Sequence, residues 1–364
     1  MKAVRIKHAS DDLSGVELID VAEPEPGPGL LKVRMTNAAV HPSDLNYIRG
    51  EYRQAIERLI WNLGEDRAAF DAARTKLHPE LPCIPGGEGV GVVEGCGDGV
   101  DSGQWLGKRV ALFAGPPSGT WQEYVLAAPQ QLSPVPDQLP DAQAALMMLN
   151  PMTALVTARH VLRVGEGQWI LVSAGASAVS KHIAAIGRHY GFKTISLVRD
   201  DMPADLPSEQ LGEVVINTAR QNVREEVKRV TGGRGVEFAL DCVGGALAEQ
   251  MIGSLTEGGR MLLYGTLGSP SMTLFSRDLM MANAFVGGFY LPGWLAAQTP
   301  ETLTEVMAEL SELSAIGMFH SRVEAEYPLA DAVEAVRASL KPGRRGKVLL
   351  DMNLAALKNR SQAL

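Results

Sequence analysis

The run Trp169–Ser173 leads into Ala174-Gly175-Ala176-Ser177-Ala178-Val179-Ser180. It reads as a strand, a tight turn of small residues and the start of a helix. Small side chains let a backbone approach a pyrophosphate, and the free N–H groups and dipole of the helix start favour its charge. Of the glycine fingerprint G-x-G-x-x-G only Gly175 is a glycine, with Ala176, Ser177, Ala178 and Ser180 filling the rest. A strand–helix turn without a ligand is therefore the plain alternative. In such a domain the residue after the second strand selects the cofactor, an acid for the ribose hydroxyl of NAD or an arginine for the 2′-phosphate of NADP. Here Ile195–Val198 runs directly into Arg199, which points to NADPH, while Asp200 and Asp201 leave an NAD ribose contact open. The same turn is one residue short of a G-x-S-x-G nucleophile elbow at Ser177. Position 179 is valine, His182 and His189 fall in the following helix, and only His320 lies further on, so a serine hydrolase is disfavoured.

These residues need elements to position them. The chain has 364 residues, enough for two domains. The first 130 residues read as strands and turns (Ala3–Ile6, Leu31–Ala39, Gly89–Val93, Arg109–Phe113), interrupted by helical apolar spacing over 54–78 at Ile56, Leu59, Ile60 and Leu63. A helix is expected over Asp141–Val161. Beyond it short apolar runs alternate with helical patterns, which predicts a doubly wound parallel sheet: Trp169–Ser173, Thr194–Val198, Val214–Ile216, Phe238–Cys242 and Arg260–Tyr264. The tail reads as a helix (Glu301–Ile316), a strand (Val323–Tyr327), a helix (Leu329–Leu340) and a last strand at 346–351. With 34 Lys+Arg against 42 Asp+Glu the net charge is −8, which leaves no electrostatic footprint for nucleic acid. The start of the sequence lacks the apolar region of a signal peptide, and the apolar stretch at 144–158 is too short for a bilayer. Cys83, Cys96 and Cys242 form no C-x-x-C pair, so they read as small buried hydrophobes in a reducing, cytoplasmic compartment.

Placed in series, HPSDLNYIRGEY (41–52), LPCIPGGEGVGVV (81–93), SGTWQEY (118–124), LNPMTA (149–154), ISLVRDD (195–201), LDCVGG (240–245), GGRMLLYG (258–265), GGFYLPGW (287–294) and GKVLL (346–350) resemble the zinc-free medium-chain dehydrogenase/reductase superfamily. Within it they look most like mitochondrial-type 2-enoyl thioester reductases, over nearly the whole chain. The first motif is shared with quinone oxidoreductases and identifies the superfamily only. The resemblance places Tyr52 as the acid that stabilises an enolate and protonates carbon, a task open to a phenol that is still protonated at neutral pH. It gives Asn150 the holding of the nicotinamide, counts Thr153 among the cofactor contacts, and gives phosphate contacts to Ala176, Ser177, Ala178 and Val179. The VRD match makes Arg199 the ligand of the 2′-phosphate and puts Asp200 beside it among the cofactor contacts. Tyr264, Gly265, Thr266, Leu267, Phe289, Tyr290, Leu291 and Lys347 complete the cofactor contacts. Zinc-dependent members carry Cys at the position of His41 and His at that of Gly87. His41 and Glu88 supply at most two of the three protein ligands that catalytic zinc needs, so no metal is expected.

The expected architecture is α/β: a GroES-like β-rich catalytic domain (1–127 and 290–364, with the helical insertion 54–78) and a Rossmann doubly wound parallel-sheet domain (128–289). The cleft between them is the expected site, and the insertion a wall or lid of its pocket. The expected reaction is NADPH-dependent reduction of an activated C=C bond, most plausibly in an enoyl thioester. An NADPH:quinone or small-enone reductase is the alternative, and a non-catalytic NADPH-binding protein the alternative of another class. A homodimer joined at the sheet edge near Phe285–Leu291 follows from the resemblance alone.

Overall fold

A computed structural model describes residues 1–55, 80–199, 208–272, 274–341 and 343–354. Most of the insertion, including Ile56, Leu59, Ile60 and Leu63, lies outside them, as does Asp200.

The described chain forms two units, one of residues 1–149 and 320–364, the other of 150–319. The first contains β1 (Lys2–Ile6), β2 (Val16–Asp20), β3 (Leu31–Val40), β4 (Glu88–Cys96), β5 (Arg109–Phe113), β6 (Tyr124–Ala127) and β7 (Leu132–Pro134). The second follows with β8 (Trp169–Val172), β9 (Lys193–Val198), β10 (Val214–Asn217), β11 (Val236–Asp241), β12 (Leu255–Leu263) and β13 (Phe285–Gly288). The first unit is completed by β14 (Val323–Pro328) and β15 (Lys347–Asp351).

In the first unit the sheet order is β14-β15-β3-β4-β5-β7. The ten-residue β3 serves two partners along one edge, β6 at Leu31–Arg34 and β15 at Asn37–Val40, with β4 on its other edge. Helix α1 (Pro42–Arg49) follows β3 directly and ends at Gly50, whose φ of 73° supplies the left-handed cap that a side chain would strain. In the second unit all six strands are parallel in the order β10-β9-β8-β11-β12-β13. This is doubly wound topology, with the strand order reversing between β8 and β11, as the alternating pattern predicts. β8 is a continuous apolar run, as a strand covered on both faces requires, and in β9 both alternating sets, Ile195 and Leu197 on one hand and the small polar Thr194 and Ser196 on the other, are buried.

The helix expected over Asp141–Val161 is broken. It divides into Asp141–Ala144, α2 (Leu149–Leu155) and a π-turn over Val156–Val161. Pro151 has no N–H to give the carbonyl four residues earlier, so helix can start just ahead of it but cannot run through it. The unit boundaries also differ from 127/128 and 289/290. On one side β7 pairs with β5, Arg109 Nε reaches Asp141 Oδ1 at 3.0 Å, and the Gln143 side chain pairs with the backbone of Ser321. These contacts keep residues 128–149 in the catalytic unit.

On the other side, α3 (Ala178–Tyr190) and α6 (Pro300–Ala315) meet through Glu309, with α4 (Val223–Val230) and α5 (Gly245–Ile252) between them in the chain. Tyr190 Oη donates to Glu309 Oε1 at 2.7 Å and His160 Nε2 to Oε2 at 3.0 Å. The Arg159 guanidinium stacks 3.9 Å from the Tyr190 ring centroid. The His160 bond first, then Tyr190 and Arg159, hold the Glu309 carboxyl down to about 2, against burial that opposes them. A depressed carboxyl gives stability that is complete above its unfolded value of 4.5 and is lost as pH falls towards 2. Glu309→Gln should therefore flatten the acid limb of stability between these values and cost on the order of 2 kcal/mol at neutral pH. Urea unfolding at a series of pH values measures both.

Candidate functional site

Two sets of side chains stand out, one in each unit. In the catalytic unit Glu88, the first residue of β4, is completely buried. Its Oε1 accepts from His41 Nε2 at 2.7 Å, and its Oε2 accepts from the amides of Met148 and Leu149 at 2.9 and 2.7 Å. On the far side of the imidazole, Lys347 Nζ lies 3.3 Å from His41 Nδ1. An ammonium can only donate, so Nδ1 is the acceptor and the ring proton sits on Nε2, facing Glu88. Burial first, and then the charge of Lys347, push the imidazole below its ordinary value, so it is neutral. Burial pulls Lys347 down to about 8, with Glu88 opposing. Asp44 completes the cluster: its Oδ2 accepts from His41 N at 2.8 Å and its Oδ1 from Gly86 N at 3.1 Å. Burial raises its carboxyl to about 7 despite those two amides. Gly86 has φ 109°, and a Cβ there would stand 2.4 Å from Thr120 Oγ1, so the loop delivering its N–H to Asp44 admits no side chain.

This donor set does not fit zinc. His41 Nε2 is committed to Glu88, an ammonium faces Nδ1, and Gly87 offers nothing. Among the described residues no group of three or more His, Cys, Asp or Glu is arranged to hold a metal ion.

Tyr52 lies in the same unit, two residues past the Gly50 cap of α1, half-buried, with its ring 4.8 Å from that of Tyr47. Tyr47 is buried in the core cluster around Val40, Ile48 and Trp121, and Tyr52 packs on the outside of that cluster.

The second set lines the carboxyl edge of the parallel sheet. After β8, Ser177 caps α3 by accepting from Ser180 N, and Ser180 Oγ donates to Ser173 O at 2.9 Å. Ala178 and Val179 then occupy the first two helical positions, whose amides a helix leaves unpaired. Gly175 is required for packing: a Cβ would meet Ser196 Cβ at 2.7 Å. Arg199 is exposed at the end of β9. Beyond β12, Tyr264 N donates to Asp241 O and Leu267 N to Cys242 O, both at 2.8 Å, so the segment Tyr264-Gly265-Thr266-Leu267 is stitched to the end of β11. The Tyr264 hydroxyl is bonded to Cys242 and Ser177, and burial holds the phenol far above its ordinary value, so it stays protonated. Phe289, Tyr290 and Leu291 follow β13, with Phe289 N on Leu263 O at 2.7 Å. Ala176–Val179, Arg199, Tyr264–Leu267 and Phe289–Leu291 are thus brought to one sheet edge, where doubly wound folds take their ligands.

Asn150 and Thr153 lie apart from that edge in the chain, buried in α2. Asn150 is 8% exposed and its Nδ2 has no hydrogen-bond partner. A buried donor left so is costly unless a ligand acceptor meets it, and the carboxamide of a nicotinamide offers one. Lys347 stands in the other unit, against His41. The pairing of His41, Glu88 and Lys347 was missed in the sequence, where His41 and Glu88 are weighed only as metal ligands. The visible signal is a lone acid in the glycine run PGGEG.

Residues 27–137 match the family model of the alcohol dehydrogenase GroES-like domain, and residues 211–350 match that of the zinc-binding dehydrogenases. The mitochondrial enoyl-[acyl-carrier-protein] reductase of Bos taurus is 26% identical over 97% of this chain and 89% of its own. A crystal structure from Bacillus thuringiensis, described as an NADPH:quinone reductase, is 28% identical with a TM-score of 0.82, covering 96% of this chain and 98% of that one. A mycobacterial protein complexed with NADPH is 25% identical with a TM-score of 0.79, covering 96% and 100%. With both of its units matched in this way, and with enoyl reductase and quinone reductase relatives over nearly its full length, the chain belongs to the medium-chain dehydrogenase/reductase superfamily, among its zinc-free oxidoreductases.

Proposed function

We propose that this protein uses NADPH to reduce the activated C=C bond of a 2-enoyl thioester. NADPH supplies the hydride to the β-carbon, and Tyr52 donates the proton that the α-carbon of the enolate requires. Asn150 Nδ2 binds the nicotinamide carboxamide, the amides of Ala178 and Val179 the pyrophosphate, and Arg199 the 2′-phosphate. The observation that carries the reading is Tyr52 itself. It is the phenol that closes the motif at 41–52, in a chain 26% identical to an enoyl reductase over 97% of its length, and it is seated on the buried ring of Tyr47. A quinone reductase is the second reading, favoured by the B. thuringiensis likeness; it needs no carbon protonation.

Tyr52→Phe keeps the ring packing and removes the donor. It should lower kcat on crotonyl or longer enoyl thioesters by ~10²–10⁴-fold with little change in KM. Tyr47→Phe, altering a core aromatic, should lose far less. Near-full kcat in Tyr52→Phe would move the quinone reading ahead.

Arg199→Ala should cut the preference for NADPH over NADH by roughly 10- to 100-fold, the worth of a charge-assisted contact, while leaving turnover with NADH in place. An unchanged preference would remove Arg199 from the phosphate site.

We also infer a homodimer formed by β13. This strand is the sheet's edge, Phe285 on it is 60% exposed, and Met280 and Met281 just before it are 73% and 83% exposed. An apolar edge is a template for pairing. Light scattering should give twice the chain mass for the wild type and a monomer for Phe285→Asp.

A further inference from the structure

Lys347, His41 and Glu88 form an unbroken line of hydrogen bonds. Lys347 Nζ faces Nδ1, Nε2 donates to Oε1, and Oε2 holds the amides of Met148 and Leu149, the residues immediately before Asn150. Nothing in the chemistry assigned above uses His41, yet it is 3% exposed and satisfied at both nitrogens. An imidazole buried between a cation and a carboxylate has a single workable tautomer, so each end of the line constrains the other. If the ammonium shifts or its charge is taken up by an anion, the ring's acceptor side changes, and with it the bond that orients Glu88. Glu88 in turn fixes where α2 begins.

We propose that His41 is a positioning residue, which passes the state of Lys347 to Glu88 and so to the start of the helix that carries Asn150. The inference rests on the proposed NADPH reductase and deepens it. On that reading an anionic group brought to Lys347 is felt, through His41 and Glu88, at the first residues of α2. The charged groups that face this line are Lys347 and Arg344 beside β15, Glu88 on β4 and Asp44 on α1. The lowered value of Lys347 is consistent with a cation that gains stability when an anion arrives.

The test begins with the intact wild-type protein labelled with ¹⁵N-histidine. His41 should show a neutral ring with its proton on Nε2 at neutral pH, and NADPH should shift its Nδ1 resonance. A charged ring, a proton on Nδ1, or no shift while quenching shows that NADPH binds would each overturn the proposal. Steady-state kinetics follow with His41→Leu, which breaks both bonds, and His41→Gln, whose amide can accept from Lys347 and donate to Glu88. His41→Leu should lose ~10-fold or more in kcat, with KM for the acceptor within about 3-fold and a larger isotope effect from deuterated NADPH, because a misplaced nicotinamide slows hydride transfer. His41→Gln should recover most of the loss. A folded His41→Leu with wild-type kcat and isotope effect, or a His41→Gln no better than it, would overturn the proposal. A His41→Leu variant that fails to fold leaves the ¹⁵N result to decide. The kinetics run on a quinone beside an enoyl thioester. Turnover of the quinone alone refutes the thioester reading while the His41 comparison still stands, and absence of NADPH quenching in the wild type refutes the cofactor reading itself.

Discussion

A carboxylate without solvent organises the catalytic unit. Moving such a charge out of water costs several kcal/mol even after relaxation, and only a full set of donors offsets that. Glu88 has three: one imidazole nitrogen and two backbone amides at the start of α2. The consequences spread outward from that need. His41 must carry its proton on Nε2; Lys347 must lie on the opposite side of the ring; and the turn after β3 must hold His41 in place, which Asp44 does from α1 through the backbone N–H of His41. Even the backbone of Glu88 is engaged, its carbonyl accepting from Thr120 Oγ1 at 3.0 Å.

The nucleotide unit meets a different constraint. The turn after β8 has its one glycine at the close contact with Ser196, and serines tie down the rest. Ser177 caps the third amide of α3, and Ser180 ties the helix back to the strand through Ser173 O. A turn built this way is tied down by its own hydrogen bonds and leaves the amides of Ala178 and Val179 open. Tyr264 adds to these ties by bonding Ser177 on one side and Cys242 on the other, so three adjacent loop ends share one hydrogen-bonded knot.

Much of this was legible in the sequence. The alternation of short apolar runs and helical patterns after residue 165 gives the parallel sheet and five of its six strands, while the four-residue edge strand β13, exposed and rich in glycine, left no such signal. Short elements left little trace. Val16–Asp20 is half polar, Leu132–Pro134 has three residues, and α1 hides inside a motif whose residues HPSD look like loop. Pro151 could have warned that Asp141–Val161 is no single helix. At the candidate site, the residues on the sheet edge were visible because motif and strand end coincide. The line from Lys347 to Glu88 was not, since its members are separated by up to 306 positions and only the sheet register of β15 on β3 brings them together.

That register also governs how the chain can be made. The second unit is continuous and can close on itself as soon as it leaves the ribosome. The first cannot: β15 sits between β14 and β3, and its Val348 and Leu350 belong to the same core as Val4, Ile48 and Trp121. Until β15 has been synthesised, the Asn37–Val40 end of β3 presents an unpaired edge and a half-built core. The nascent catalytic half must wait through the entire translation of the nucleotide unit, which makes that edge the place where chaperone binding or misassembly would begin.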